Sequence, residues 1–314
     1  MNTIRITHFK KFLVLSAIAI ALLAPAREGK ANTILYGSTG DINTEGGGRL
    51  YLIDVTAQTV TFIGDTGFGN LGGIAFDNSG VLYGVAGGAT KTVPGTLMTI
   101  DPNTGAATPI GTIGANIGVE ALRFDSQNTL WGGAYDASIT NGRLVTIDPT
   151  NGNILTSITT SGSGNGLLPG LAFNSADVLY GSRGGSFGHT EDVDLVDTTT
   201  GVLTPLPLAI ADPSHPISDL SFGSDGVLYG SSAFGQLYSI DQTTGLLTFL
   251  FDTGILKFSG LASQPIPGNS QGVPEAGSSV LLFGFALVAL TFVRRRLSSS
   301  NSLDQEILTD QPQT

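Results

Sequence analysis

Between residues 34 and 263 the chain alternates apolar and polar positions in runs of four to seven residues. The runs are rich in Val, Ile, Leu, Thr and Tyr, and Gly, Asn and Asp separate them. Period-two alternation over such lengths, cut by turn residues, predicts short half-buried β-strands. No part of this body keeps a helical period.

The strands recur in a fixed order. The tripeptide Leu-aromatic-Gly ends at Gly37, Gly84, Gly132, Gly181 and Gly230, at spacings of 47, 48, 49 and 49 residues. Each copy is followed by a strand ending in Asp, such as "RLYLID", "TLMTID" or "QLYSID". A turn such as "DPNTG" or "DQTTG" comes next, then a Thr-containing strand such as "TVTFIG". The unit closes with "GGIAFD", "EALRFD", "GLAFN" or "DLSFG". Four short antiparallel strands per unit of this length predict a β-propeller blade. With strands A to D numbered outward from the axis and the "GLAF" strand as A, the body starts on a B strand (34–37) and ends on an A strand (258–263). Pairing these two completes one blade and leaves no free inner edge. The expectation is an all-β, five-bladed propeller of four-stranded antiparallel blades. A β-sandwich is the competing fold, but it gives no reason for a constant period.

Repetition assigns structural roles first. Tyr36, Tyr83, Trp131, Tyr180 and Tyr229 are expected to pack between blades, with the following glycines allowing close approach or a bulge. Asp54, Asp101, Asp148, Asp197 and Asp241 precede turns and are expected to accept backbone N–H bonds there. "DPNTG" shares its opening with a calcium loop, but lacks the downstream Glu.

Loop length points to one face. A–B turns ("DNSG", "DSQN", "NSAD", "GSDG") and C–D turns are short and uniform. B–C loops run from "SSAFG" to "STGDINTEGGG", and D–A links vary as well. Both variable sets fall on the same side of the ring, where a rigid scaffold carries binding functions.

Composition narrows the chemistry. There is no cysteine, so disulfides, thiol catalysis and Cys-based zinc sites are excluded. The formal net charge of −11 argues against nucleic acid as a partner. Outside the leader only His189 and His215 remain for acid–base or metal work. "HTEDVD" gathers His189, Glu191, Asp192 and Asp194, yet strand alternation splits Glu191 from the two aspartates. The inner strands offer Glu120, Arg123 and Asp219. "GTIGANIG" (111–118) links two strands and lacks the helix start of a phosphate cradle. Neither G-x-S-x-G nor H-E-x-x-H occurs. No catalytic residue, metal ligand or cofactor is assigned.

Both ends read as targeting segments. Residues 1–26 carry a basic start (Arg5, Lys10, Lys11), an apolar run from Phe12 to Leu23, and a small-x-small cleavage site at Ala24 and Ala26. A second cleavage position follows residue 31. Residues 264–272 form a Pro/Gly/Ser/Asn linker. Residues 277–293 are 17 uncharged residues, about 26 Å as a helix. Ten of them are Val, Leu or Phe, worth roughly −3 to −6 kcal/mol on insertion. Arg294, Arg295 and Arg296 would then stay cytoplasmic as a stop-transfer cluster, ahead of a polar cytoplasmic tail, 297–314.

The order Val273-Pro274-Glu275, apolar helix, arginine cluster resembles the PEP-CTERM sorting signal of Gram-negative bacteria, over residues 273–296. The resemblance implies recognition at Val273, Pro274 and Glu275 by an exosortase, a membrane transpeptidase, and delivery to the cell surface or extracellular matrix. Ala276 replaces the usual second proline, and the polar tail extends past the arginines. The body resembles bacterial propellers of the NHL and YVTN kind. Three functions are thereby expected in turn: a surface or matrix binding component meeting exopolysaccharide or surface proteins, a secreted lyase or lactonase acting on polysaccharide or lactones, and a membrane-held periplasmic scaffold.

Overall fold

The computed structural model describes residues 32–40, 48–87, 95–114, 117–136, 142–162, 167–183, 193–207 and 217–265. These contain 20 strands in five separate four-stranded sheets. Blade 2 holds β4 (Leu71–Phe76), β5 (Leu82–Ala86), β6 (Gly95–Ile100) and β7 (Ala107–Ile113). Blade 3 holds β8 (Ile117–Phe124), β9 (Leu130–Asp136), β10 (Gly142–Ile147) and β11 (Ile154–Thr159). Blade 4 holds β12 (Gly170–Phe173), β13 (Leu179–Ser182), β14 (Val193–Val196) and β15 (Leu203–Pro205). Blade 5 holds β16 (Ile217–Phe222), β17 (Leu228–Ser232), β18 (Gln236–Ile240) and β19 (Leu247–Asp252).

Blade 1 is built from both ends of the body, in the order β20 (Phe258–Ala262), β1 (Ile34–Thr39), β2 (Arg49–Asp54), β3 (Thr59–Asp65). β20 pairs antiparallel with β1, Tyr36 opposite Ala262 and Ser38 opposite Gly260. The first A strands of successive blades touch in a closed cycle, β20 to β4, β8, β12, β16 and back to β20. The expected five-bladed ring and its closure are therefore both present.

The repeated aromatic does what its period implies. Tyr36 meets Phe76 of the next blade with ring centroids 5.1 Å apart. Tyr83 meets Phe124 at 5.2 Å, Trp131 meets Phe173 at 6.1 Å, and Tyr180 meets Phe222 at 5.6 Å. These tilted and edge-on contacts add to the buried apolar area between sheets. At the seam the partner position is Ser263, and Tyr229 makes a polar contact instead. Its hydroxyl donates to Asp225 Oδ2 at 2.8 Å, and Thr33 Oγ1 donates to the same oxygen at 2.9 Å. The glycine after each aromatic provides close approach. A Cβ on Gly37 would lie 2.7 Å from the Phe258 ring, and one on Gly181 2.6 Å from Leu168.

The aspartate ladder is a set of turn acceptors. Asp101 Oδ1 accepts from Asn103 N at 2.8 Å, Asp197 Oδ1 from Thr199 N at 2.8 Å, and Asp241 Oδ1 from Thr244 N at 2.7 Å. Asp148 Oδ1 accepts both the N–H (2.9 Å) and hydroxyl (2.6 Å) of Thr150. These bonds favour the ionised form and hold the four carboxyl pKa values below the usual range. A second set serves the A–B turns, where Asp77 Oδ1 accepts from Val81 N and Asp125 Oδ1 from Thr129 N.

The leader with Ala24 and Ala26, the sorting motif Val273, Pro274 and Glu275, the 277–293 segment and Arg294 to Arg296 lie outside the described residues. Among the described residues no helix is long and apolar enough to cross a membrane.

Candidate functional site

An inner strand pairs on one side only, so its other edge turns N–H and C=O groups towards the axis. Five such edges would need water or side chains to satisfy them. Here one arginine and one aspartate meet much of that need. Arg123 on β8 donates from Nε to Leu171 O at 2.8 Å, and from Nη2 to Leu261 O at 2.8 Å and to Leu220 O. Its Nη1 donates to Ser221 Oγ at 3.4 Å. Asp219 on β16 accepts from Leu261 N at 2.8 Å, Leu220 N at 2.8 Å and Leu171 N at 3.3 Å. The cation takes carbonyls and the anion takes amides of the same three leucines, in three different blades. Arg123 Nη2 lies 3.9 Å from Asp219 Oδ1.

Burial sets the electrostatics of this plug. Asp219 is wholly buried, and loss of solvent pushes its carboxyl up to about 7. Arg123 and the three amides pull the other way. Burial likewise lowers the Arg123 guanidinium pKa, and Asp219 counters it. The neighbours of Asp219 in its row are small: Gly73, Ala121, Gly170 and Gly260. A Cβ on Gly73 would sit 2.4 Å from Leu122 N, so at that position the strands come too close for any side chain. Bulges after Val119 and Ile217 re-aim the strands just above this level.

Glu120, of the three inner-strand candidates, stands apart. It is the extra residue of the β8 bulge, nearer the D–A end of the strand than Arg123. It keeps solvent access, yet the surrounding protein raises its carboxyl pKa by desolvation. Burial and the Glu120 charge together push the Tyr135 phenol up to about 12. Glu120 and Tyr135 thus mark the inner lip of the variable-loop face, above the closed axis.

The "HTEDVD" stretch divides. Asp194 is fully buried on β14 and forms a bidentate pair with Arg183, Nε to Oδ2 at 2.5 Å and Nη2 to Oδ1 at 2.8 Å. A carboxylate so engaged serves the packing of blade 4. His189, Glu191, Asp192 and His215 lie outside the described residues. Among the described residues no three His, Asp or Glu side chains converge on a metal-sized site. Residues 111–114 and 117–118 run from β7 into β8, as their sequence implied.

Two contributors escaped the sequence reading. Arg183 follows "LYGS" where other repeats carry Thr39, Ala86, Ala134 and Ser232. Tyr135 sits one residue further along its own B strand. A charge in a column of small residues is the signal that marks Arg183. The loop face also carries exposed Phe234 and Leu256, 54% and 71% accessible, beside the shortest B–C loop.

No family model matches the chain, and no curated protein does. Solved structures resemble it at low identity. A gluconolactonase from Xanthomonas campestris shares 15% identity, with 71% of this chain and 77% of that chain covered and a TM-score of 0.43. Streptogramin B lyase shares 10% over 69% and 66% of the two chains, TM-score 0.39. A protein of unknown function from Bacteroides caccae shares 10% over 69% and 72%, TM-score 0.40. The strand order itself defines the five-bladed propeller, and likeness of this size says nothing about ligand or reaction.

Proposed function

We propose that the chain is an exported propeller, tethered at the cell surface, that binds a macromolecular partner through its variable-loop face. The observation that carries this reading is the contrast between the faces. The turn face is built from repeated Asx turns, and the opposite face collects every variable connection. Residues 1–26 are the export signal. Residues 273–296 are a PEP-CTERM-like tag, with Val273, Pro274 and Glu275 presented to an exosortase and Arg294 to Arg296 holding the tail inside. Exopolysaccharide and surface proteins are the partner classes. Mass spectrometry of the mature C-terminus tests it: cleavage next to Val273–Glu275 is the expected result, and an intact C-terminus in exosortase-positive cells overturns the processing. Retention in the inner membrane of those cells would make the chain a periplasmic scaffold instead.

A second reading, a secreted enzyme acting on lactones or polysaccharide, draws support from Glu120. A solvent-open carboxyl with a raised pKa suits general acid–base work. Lactone or polysaccharide turnover that disappears in Glu120→Gln, with the fold intact, would establish it.

A further inference from the structure

Four of the five inner strands carry an irregularity at the same level. The pairing with strand B skips Ser259 between Phe258 and Gly260, Glu120 between Val119 and Ala121, and Ser218 between Ile217 and Asp219. In blade 2 it falls at Gly72 and Gly73. In blade 4, whose described pairing is regular, Pro169 takes the place, just ahead of Gly170. Gly72, Glu120, Pro169, Ser218 and Ser259 all reach solvent, while the residues on either side of each are buried. They form one ring at the loop-side mouth of the axis. One level down, a Cβ on Gly260 would lie 2.8 Å from Gly72 O, and Arg123 and Asp219 close the axis. The mouth is therefore a shallow, narrow well with a sealed floor.

Glu120 is the charged member of this ring. Among the described residues its carboxylate makes no hydrogen bond or ion pair, and loss of solvent is what raises its pKa. The turn aspartates and Asp219 are all bonded. A carboxylate stripped of water by its surroundings and given no partner is open to a ligand that supplies one. We propose that the well binds a slender primary alkylammonium ion, whose N–H donors are shared between Glu120 and the hydroxyls of Ser218 and Ser259. The inference needs the ring alone, and neither export nor tethering. Each property of the well selects this class. An anion would meet Glu120 and no free cation, because Arg123 below is spent on Leu171, Leu220, Leu261 and Ser221. A divalent metal ion wants several carboxylate or imidazole ligands, and no three converge among the described residues. An ammonium group wants about three acceptors, and one carboxylate with two hydroxyls supplies them. Ser259 Oγ donates to Leu71 O at 2.6 Å, which leaves its lone pairs for an incoming donor. Gly72 keeps one wall low, but a Cβ there would lie 3.2 Å from Glu120 O, so an unbranched stem fits where a bulky cation does not.

Calorimetric titration of the purified full chain with 1-aminobutane near neutral pH, at fixed ionic strength, tests the site. Saturable millimolar binding is expected, weakened about tenfold or more in Glu120→Gln, the worth of one charge-assisted bond. 1-Butanol has the same shape without the charge, and tetramethylammonium has the charge without N–H donors, so neither should bind measurably. Ser218→Leu fills the well and leaves the carboxylate in place, and it too should abolish binding. Circular dichroism checks that both variants keep the fold, and if one does not, the other decides. No saturable heat with 1-aminobutane, undiminished binding in both variants, or butanol binding as well as the amine overturns the site. Lactone turnover that depends on Glu120, without any amine binding, gives the carboxyl to the enzymatic reading and overturns this one.

Discussion

Arg123 Nη2 and Asp219 Oδ1 lie 3.9 Å apart on the axis of the ring, and between them they hold the carbonyls and amides of Leu171, Leu220 and Leu261. Loss of either partner strands a buried charge and several backbone groups. Arg123→Met is expected to cost about 3–5 kcal/mol, the range for breaking a buried pair. Urea unfolding followed by circular dichroism measures it, and a cost below 1 kcal/mol would contradict the plug.

Asp219 also gives a pH dependence. Its carboxyl titrates near 7 when folded and near 3.8 when unfolded, because burial disfavours the anion. Between these values the folded chain keeps a proton that the unfolded chain has released. Stability from this group is therefore largest at low pH and falls as pH rises from about 4 to 7. Asp219→Asn should remove that slope. The readout is the difference in unfolding midpoint between wild type and variant at pH 4.5 and 7.5, which should narrow as pH rises.

The Arg183–Asp194 pair separates cost from net worth. Asp194→Ala alone should destabilise by about 3–5 kcal/mol. The double replacement Arg183→Met with Asp194→Leu, apolar on both sides, should recover most of that loss. A double-mutant cycle by chemical denaturation checks both values.

Tyr135 reports on Glu120. In Glu120→Gln the phenol loses a negative neighbour, so its pKa should fall from about 12 towards its ordinary value. Ultraviolet titration of tyrosine ionisation, compared with Tyr135→Phe to identify the band, follows the shift.

At the seam, Tyr229→Phe removes the hydroxyl that shares Asp225 with Thr33. The expected loss is about 1 kcal/mol, the net worth of one such bond. The same change at Tyr83 should cost less, because its ring packs on Phe124. Thermal unfolding of the two variants compares them.

Repetition made the ring legible before any coordinates. Tyr36 to Tyr229 and Asp54 to Asp241 each recur once per blade, so a fixed place in the unit implied a fixed role. The orphan strands at Ile34 and Phe258 likewise implied the closure. The axis was harder to read. Glu120, Arg123 and Asp219 stood out as charges in apolar strands, but nothing in the chain shows which of them meet. Arg183 escaped that reading, although it pairs with the buried Asp194.

The sequence alone determined the number of blades, the strand order and the pairing that seals the ring, because these depend on local period and on counting strands. Only the tertiary structure decided that Arg123 and Asp219 converge and that Glu120 stays apart. Those facts depend on how five twisted sheets bring distant inner strands round a common axis, and no local pattern encodes that geometry.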